Sequence, residues 1–458
     1  QGITSENEGK EIIEMLAELP DLWDVNISDW SMDSATSRFE SEGYQEPYMA
    51  FVKSMTSKPV VGVGRFTSPD TMLSLIQRGV MDMIGAARPS IADPFLPKKI
   101  EEGREDEIRE CIGCNICVMS DELSVPISCT QNPTMGEEWR RGWHPERIEP
   151  SNSEDGVLVV GGGPAGLECA LALGQRGYRV ILAEASAELG GRVSRESRLP
   201  GLAEWGRVRD YRVLMLERLA NVSIYRENPL SADEIFEFSA EDQFDYSHVL
   251  LANGSSWRRN GLGRIHREPI PGLDKLKVFT PDDIMDGVLA KGRVVVFDDD
   301  HFYMGGVLAE KLRREGHDVL LVTPAPDIST WTHKTLEQRK IQKQLMDLGV
   351  ELATQTNLTA AETGKVELSC IFTERKIERE CDSLLLVTER IPNDGLFNSL
   401  NGDPERLTNA GIKTLKCIGD SFAPATIAAA VYSGHLAARE LQAEPQEEVP
   451  FLRERIQI

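Results

Sequence analysis

Short apolar runs alternate with amphipathic stretches through the first hundred residues of the chain. Three of the runs, at residues 22–27, 59–63 and 81–84, have the length and composition of buried strands. An amphipathic stretch at 69–78 predicts a helix between the last two. This alternation is typical of a (β/α) barrel, which three strands cannot close. Residues 1–110 are therefore predicted to form the C-terminal part of a (β/α)8 barrel.

Two further α/β units follow the barrel part. Residues 157–160 are an apolar run that leads into a glycine loop and a helix, and a second such unit begins at residues 293–297. Strand, loop and helix in this order start a Rossmann-like nucleotide-binding fold. The fold class is thus α/β. The predicted divisions are a segment at 111–150, a first nucleotide-binding domain at 151–275 and 395–445, a second at 276–394 inserted in the first, and a tail at 446–458.

Four cysteines are concentrated between the barrel part and the first nucleotide-binding domain. They are Cys111, Cys114, Cys117 and Cys129. Three cysteines stepping by three, with a fourth close by, have the spacing of an iron–sulfur site. A structural zinc site more often shows two separated pairs, and zinc stays the alternative. We expect a [4Fe–4S] cluster held by these four thiolates.

The loop after residues 157–160 carries the glycines of a dinucleotide site. Gly161 suits the tight turn, Gly163 admits a pyrophosphate, and Gly166 lets the helix pack closely on the strand. Glu184 ends the next strand, where an acid can bind ribose hydroxyls. An adenine nucleotide is therefore expected in this domain.

Two more positions are expected to contact the same cofactor. Arg192 follows Gly190-Gly191, an arrangement similar to that of flavoprotein reductases with two dinucleotide folds. Gly419-Asp420 precedes the last predicted helix, and Asp420 is placed to bind a ribityl or ribose hydroxyl. The alternative is that Asp420 only caps this helix.

The second nucleotide-binding unit lacks the glycines of the first. Its loop reads Asp-Asp-Asp-His-Phe-Tyr-Met-Gly at residues 298–305. Carboxylates would repel a pyrophosphate, and the two aromatic rings would fill its space. This unit is therefore predicted to be a degenerate NAD(P)-type domain that binds no pyridine nucleotide.

Two loops of the barrel part carry an arginine beside a small residue. They are Gly64-Arg65 after the second strand and Ala87-Arg88 after the third. Barrels often bind phosphate in the loops after their last two strands, using backbone N–H groups and a cation. A phosphate site is thus expected here; the alternative is two ordinary surface arginines beside tight turns.

The chain of 458 residues has a formal net charge of −24. Such a charge argues against nucleic acid and against an anionic membrane as partner, and no apolar run has the length of a membrane span. The free cysteines and the expected cluster favour a reducing cytoplasm. Because the chain begins at Gln1 without an initiator Met, we expect it to start within a longer barrel domain.

These motifs in this order, together with Arg-Arg-Gly-Trp-His-Pro at 140–145, resemble the trimethylamine, dimethylamine and histamine dehydrogenases. These enzymes are relatives of old yellow enzyme and 2,4-dienoyl-CoA reductase. The resemblance implies FMN in the barrel, one [4Fe–4S] cluster, and ADP in the first nucleotide-binding domain, where the dienoyl reductases hold FAD. It also implies that electrons leave to an electron-transferring flavoprotein, and a homodimer is expected.

The resemblance assigns three positions to an amine site. Asp33 matches the family's catalytic acid, and Trp30 matches one wall of the aromatic bowl that holds a methylated ammonium. From the residues alone, Asp33 could equally be a solvated loop acid and Trp30 ordinary packing. Trimethylamine dehydrogenase has a second tryptophan at the position of Asp121. The acid at this position resembles the variant found in histamine dehydrogenase. An acid there favours a primary or diamine-type amine over trimethylamine.

The function expected from these features is oxidation of a small amine to an aldehyde plus an amine or ammonia, with electrons passing through the cluster. Two alternatives stay open. One is an NAD(P)H-dependent enoate or 2,4-dienoyl-CoA-type reductase with FMN, FAD and the same cluster. The other is a non-catalytic electron-transfer subunit whose partner supplies the rest of the barrel.

Overall fold

The computed structural model describes residues 3–5, 7–239 and 245–443. The tail predicted at 446–458 lies outside the described residues. The chain divides into two compact units between Met135 and Gly136, and each is presented separately. Among the described residues, no helix is both long enough and apolar enough to cross a membrane.

The first unit is built around a parallel sheet of three strands that follow one another in chain order. The strands are Trp23–Val25, Val60–Gly62 and Met83–Ile84. Trp23 pairs with Val60, and Val61 pairs with Met83, which confirms the three predicted strands with shorter bounds. The buried core of this unit consists of Met49, Val52, Val60, Phe66, Met72, Leu75, Met81, Leu96 and Ile108.

Helices connect the strands of the first unit. The helix predicted at 69–78 is present as Pro69–Gln77, and Met72 and Leu75 lie three residues apart on its buried face. The other α-helices are Glu8–Leu16, Trp30–Asp33, Glu46–Met49, Ala87–Ala92, Leu96–Glu101 and Ile116–Glu122, with 3-10 turns at Val52–Ser54 and Glu105–Glu107. Parallel strands joined through a helix are the repeating unit of a (β/α) barrel.

The first sheet of the second unit has five parallel strands. In spatial order they are Thr414–Cys417, His248–Leu251, Gly156–Val160, Arg179–Ala183 and Val222–Tyr225. Alternate residues of the central strand enter different cores: Val157 and Val159 belong to one cluster, and Leu158 and Val160 belong to another. Burial on both faces explains why this strand is a continuous apolar run.

The second sheet of this unit is also parallel and has five strands. In spatial order they are Glu351–Ala353, Asp318–Val322, Arg293–Asp298, Ser383–Val387 and Lys277–Phe279. Antiparallel pairing joins Thr356–Glu362, Lys365–Cys370 and Lys376–Glu380 in a third sheet, and Arg390–Pro392 with Ser255–Trp257 in a fourth. The chain therefore leaves the first sheet, builds the second, and returns to the first with its last strand.

The helices of the second unit mostly follow strands of the two parallel sheets. They are Glu138–Arg141, Pro164–Gln175, Arg192–Glu196, Arg207–Glu217, Ala232–Ser239, Pro281–Met285, Tyr303–Arg314, Gln338–Asp347, Gly395–Asn401, Pro404–Asn409 and Ile427–Glu440. Short 3-10 turns lie at Ala203–Gly206, Leu273–Lys275, Thr330–His333 and Gly419–Ser421. Two of these helices, Pro164–Gln175 and Tyr303–Arg314, begin where a nucleotide-binding fold places its phosphate-binding loop.

Candidate functional site

The four cysteines of the first unit form one group. Cys117 is on the first turn of the helix Ile116–Glu122, and Cys111, Cys114 and Cys129 lie in the loops on either side of that helix. Each thiol interacts electrostatically with at least two of the others. Burial raises the pKa of Cys117 to about 12 and that of Cys129 to about 11. These groups are thus neutral thiols at pH 7 unless a bound cation turns them into thiolates.

Each of the four sulfurs has a hydrogen-bonding group beside it. The backbone N–H of Gly113 donates to Cys111 Sγ at 3.4 Å, and Thr130 Oγ1 lies 3.2 Å from Cys114 Sγ. Backbone N–H groups also donate to the other two sulfurs. Such donors stabilise the negative charge of a thiolate.

The chemistry of the four donors can be compared with that of an iron–sulfur cluster. Within the part of the chain that the structure describes, no group of three Cys, His, Asp or Glu side chains is arranged to hold a metal ion. A [4Fe–4S] cluster takes one thiolate per iron. Four grouped thiols, each with a donor at its sulfur, are a ligand set that fits a cluster.

The short helix Trp30–Asp33 carries two residues of the predicted amine site. The Asp33 carboxylate accepts a hydrogen bond from Gln45 Nε2 at 3.1 Å, and the Tyr44 hydroxyl donates to the Asp33 carbonyl oxygen. Gln45 is buried, so it fixes the carboxylate on one side. Trp30 is 47% exposed, which excludes a role in the core of this unit. Asp33 is therefore half-buried and oriented, and Trp30 offers a ring face.

The two arginines of the predicted phosphate loops are held inside the first unit. Arg65 is buried, and its Nη2 donates to the Glu40 carbonyl oxygen at 2.7 Å. Arg88 is half-buried; its Nη1 donates to Asn115 Oδ1 at 2.8 Å, and its Nη2 donates to the Asp33 carbonyl oxygen at 3.3 Å. Neither is an ordinary surface arginine, so that alternative is wrong. Arg88 also connects the predicted amine site with the cysteine loop.

Three further predicted positions of the first unit differ in their surroundings. A Cβ at Gly64 would lie 3.0 Å from the Phe66 ring and 3.1 Å from Gly43 Cα, so a larger residue is crowded there. Ala87 begins a short helix and is exposed. Asp121 is exposed on the helix that carries Cys117, one turn further along. Its carboxylate is therefore accessible to a cation.

The glycines of the first nucleotide loop have three different environments. Gly161 has a φ of +105°, and a Cβ there would overlap the Ala252 carbonyl oxygen. A Cβ at Gly166 would overlap the carbonyl oxygen of Gly161. Gly163 directly precedes the helix Pro164–Gln175, and a Cβ there would enter open space. The loop is thus closed at two glycines and open at the third, beside the helix N-terminus where a pyrophosphate binds.

Glu184 lies against this loop. Its Oε2 accepts a hydrogen bond from the Gly162 backbone at 2.7 Å, and its Oε1 accepts one from the Ser186 backbone at 2.7 Å. The carboxylate therefore joins the end of its own strand to the glycine loop. A ribose hydroxyl at this position would share the carboxylate with the backbone.

Arg192 and Asp420 are both held in ion pairs. Arg192 Nη1 donates to Asp282 Oδ1 at 2.5 Å, and Arg390 Nη1 donates to Asp420 Oδ2 at 2.5 Å. The alternative role of Asp420 as the cap of the last helix is wrong, because Thr426 is the residue that caps it. Each of the two side chains thus already has an oppositely charged partner, and both partners lie within the predicted second domain at 276–394.

The loop that begins at Asp298 is filled by its own side chains. Asp298 is fully buried, and its Oδ1 accepts the His301 backbone N–H at 3.0 Å. Asp299 is also fully buried and accepts two backbone N–H groups. A Cβ at Gly305, in the first turn of the helix Tyr303–Arg314, would overlap Asp298 Oδ2. The carboxylate therefore occupies the space beside the helix N-terminus that a pyrophosphate would take.

The aromatic residues of this loop are packed rather than free to move aside. The Tyr303 ring lies edge-on to Trp205 at 4.8 Å and to Phe302 at 4.9 Å between centroids. The Tyr303 hydroxyl donates to Glu196 Oε2 at 2.7 Å, and Glu196 is buried. Opening this loop for a dinucleotide would break the hydrogen bond and the ring contacts together.

Comparison with known proteins gives these geometries a context. Residues 2–107 match the NADH:flavin oxidoreductase / NADH oxidase family. Residues 155–414 match the pyridine nucleotide-disulphide oxidoreductase family, and this match covers more than half of the chain. The chain belongs to the pyridine nucleotide-disulphide oxidoreductase family. Its barrel part and its nucleotide-binding part are thus both matched by families of known fold.

Within this family, the chain is homologous to amine-oxidising enzymes over nearly its whole length. Dimethylamine dehydrogenase of Hyphomicrobium sp. (strain x) is 40% identical over 99% of this chain. The structure of histamine dehydrogenase from Rhizobium sp. 4-9 is 50% identical over 98% of this chain, with a TM-score of 0.95. That of 6-hydroxypseudooxynicotine amine oxidase from Pseudomonas geniculata N1 is 48% identical over 96%, with a TM-score of 0.92. The chain spans 65% of the length of each of these relatives.

Sequence reasoning missed three side chains that support the predicted site. Thr130 adjoins a predicted ligand, and Asn115 lies inside the cysteine run with a φ of +57°. Their positions next to cysteines were a signal that they contact the same group. Gln45, which holds Asp33, is 12 residues away from it and carries no local signal.

The buried carboxylate of Asp298, in the second nucleotide loop, is expected to make the stability of the protein depend on pH. Burial raises the pKa of Asp298 to about 7. Between the unfolded value of about 3.9 and this value, the folded protein binds more protons than the unfolded chain, so stability falls as pH rises. Asp298→Asn carries no charge to bury. We expect its stability relative to wild type to rise between pH 5 and pH 8, by on the order of 2 kcal/mol.

Urea unfolding at the two pH values measures this effect. Asp318→Asn is the matched control, since Asp318 lies in the same domain on an exposed strand position. A constant difference between Asp298→Asn and wild type at both pH values would show that the carboxylate is not destabilised by burial.

Proposed function

We propose that this chain is part of an amine dehydrogenase that oxidises a small amine and sends the electrons through a [4Fe–4S] cluster to an electron-transferring flavoprotein. The observation that carries the proposal is the contact of Arg88 with both the Asp33 carbonyl oxygen and the Asn115 side chain. It joins the predicted acid of the amine site, a predicted flavin-binding arginine and the cysteine loop. The substrate class is supported by the homology to dimethylamine and histamine dehydrogenases.

FMN would be held by Gly64, Arg65, Ala87 and Arg88, and the match of residues 2–107 to a flavin oxidoreductase family supports a flavin there. When bound, FMN accepts two electrons from a substrate, and an iron–sulfur cluster transfers them one at a time. Arg65 and Arg88 already donate to carbonyl oxygens of the chain, which orients their guanidinium groups. Oriented donors bind a phosphate without the entropy cost of ordering them.

The amine site would be formed by Asp33, Trp30 and Asp121. Asp33 is oriented by Gln45 and would shape the proton chemistry of the bound amine. Trp30, about half exposed, would face a cationic amine with its ring. Asp121 would pair with a second ammonium group, which favours a diamine-type substrate over trimethylamine.

The first nucleotide-binding domain would hold ADP. Support comes from the open space at Gly163, at the start of a helix of 12 residues. Gly161 and Gly166 shape the turn, and Glu184 would meet the ribose. Arg192 and Asp420 would contact the rest of an FAD, but Asp282 and Arg390 already neutralise them. This pairing favours the smaller ADP.

The second nucleotide loop supports the direction of electron flow. Asp298 and Tyr303 fill the start of its helix, which would leave little room for NAD(P)H beside the helix N-terminus. The filled loop therefore favours an amine as the electron donor over NAD(P)H, which would be the donor of the alternative enoate or dienoyl reductase.

The complete gene product tests the proposal. We expect iron, FMN and ADP after extraction, and amine-dependent reduction of an artificial one-electron acceptor. A panel of dimethylamine, trimethylamine, histamine and an aliphatic diamine should show least activity with trimethylamine. Tight FAD with NADH oxidation would instead establish the reductase alternative. No activity with any amine would favour the non-catalytic subunit, and zinc in place of iron would refute the cluster.

A further inference from the structure

One cluster ligand has a side-chain hydroxyl at its sulfur. Thr130 Oγ1 lies 3.2 Å from Cys114 Sγ, and Thr130 is only 2% exposed, so bulk water does not compete for the hydroxyl. Either atom can donate while Cys114 is a thiol. A cluster ligand is a thiolate, which can only accept, so the hydroxyl hydrogen must then point at the sulfur.

The side chains of the two residues that follow Thr130 anchor the loop that carries it. Gln131 Nε2 donates to the Glu110 carbonyl oxygen at 3.1 Å, and Asn132 Nδ2 donates to the Ile91 carbonyl oxygen at 3.1 Å. Both side chains are buried. The loop that carries Thr130 is therefore held in place by contacts other than the one between its hydroxyl and the sulfur.

A fixed hydrogen bond at a ligand sulfur changes the balance between the two redox states of a cluster. The reduced cluster carries one more negative charge, part of which lies on the ligand sulfurs. A donor aimed at the sulfur stabilises the more negative state more strongly, because a hydrogen bond strengthens with the charge of its acceptor. Hydrogen bonds to the sulfurs are accordingly among the factors that set cluster potentials.

We propose that the Thr130 hydroxyl raises the reduction potential of the cluster through its hydrogen bond to Cys114. The inference rests on the proposed function, because it requires the cluster to be bound. Thr130 is a positioning residue that acts through Cys114 and does not touch the amine. Its effect would be to favour the arrival of each electron at the cluster.

The test compares two replacements of Thr130 in the anaerobically purified protein with its cluster. Thr130→Val has a similar shape but no hydroxyl, and Thr130→Ser keeps the hydroxyl. We expect Thr130→Val to shift the equilibrium against the reduced cluster by up to about tenfold, which is 59 mV for one electron. Thr130→Ser should stay close to wild type. A redox titration followed by electron paramagnetic resonance measures both.

Iron content separates the possible outcomes. If Thr130→Val keeps the iron content of wild type and the same potential, the proposal is overturned. It is also overturned if Thr130→Ser lowers the potential as much as Thr130→Val does, since side-chain volume would then be the cause. If Thr130→Val assembles no cluster, Thr130→Ala removes the same hydroxyl and supplies the measurement. A wild-type protein without iron would contradict the proposed cluster itself.

Discussion

Replacing Cys117 with serine is expected to remove the proposed cluster and, with it, the proposed electron transfer to an external acceptor. Iron in such clusters is held by thiolates, and a serine hydroxyl does not replace that soft ligand. Cys117 is on the first turn of the helix Ile116–Glu122. The loss of turnover should exceed the roughly 10–100-fold cost of removing a residue that only hydrogen-bonds a metal ligand. Iron analysis and steady-state assays with an amine measure it.

Cys370→Ser is the matched control for this prediction. Cys370 ends the strand Lys365–Cys370 in the second unit and is not one of the proposed ligands. The same exchange of sulfur for oxygen should leave iron content and turnover unchanged there. Wild-type iron content in Cys117→Ser would remove Cys117 from the ligand set.

Adding one methyl group to the glycine loop is expected to have opposite consequences at two neighbouring positions. A Cβ at Gly166 would overlap the Gly161 carbonyl oxygen, which is backbone and cannot turn aside. Gly166→Ala should therefore lower the free energy of unfolding by about 3 kcal/mol, at the upper end of overpacking costs. Thermal or urea unfolding of the domain measures this loss.

The matched variant Gly163→Ala should fold normally and lose nucleotide. The added Cβ enters open space, and its stability should stay within about 1 kcal/mol of wild type. That space is where the proposed pyrophosphate lies, so ADP affinity should fall by roughly tenfold or more, or about 1.4 kcal/mol. Calorimetric titration with ADP measures the affinity. Unchanged ADP binding by Gly163→Ala would move the nucleotide away from this loop.

Much of the fold was predictable because its signals are local. The strand Gly156–Val160 is buried on both faces and therefore appears as a continuous apolar run. The three strands of the first unit were located within a few residues, and the helix at 69–78 within one. The first and last residues of these strands are harder to predict, because they are set by pairing with neighbouring strands rather than by local composition.

The second nucleotide loop shows where local reasoning captured only part of the physical picture. The sequence predicts repulsion between carboxylates and a phosphate at residues 298–300. In the structure, Asp298 and Asp299 are instead buried and hydrogen-bonded to backbone N–H groups, so they fill the space physically. Which way a carboxylate turns depends on the donors around it, and those donors come from other parts of the chain.

Contacts between distant residues decided the rest of the candidate site. The sequence left two roles for Asp420, a ribose contact and a helix cap. Its ion pair with Arg390 could not be predicted from the sequence. The same holds for Gln45 at Asp33 and for Arg88 at Asn115, pairs separated by 12 and 27 residues. Side chains this far apart meet only through packing, which periodicity does not report.

The sequence by itself determined the order of the folds, the four cysteines and the glycine loop, because these depend on residue types at short fixed spacings. The tertiary structure decided which sulfur has the Thr130 hydroxyl beside it, and that Gly163 is open while Gly166 is closed. It also decided that Arg88 joins Asp33 to the cysteine loop. Such facts depend on the direction and burial of side chains brought together by packing, and no local pattern encodes them.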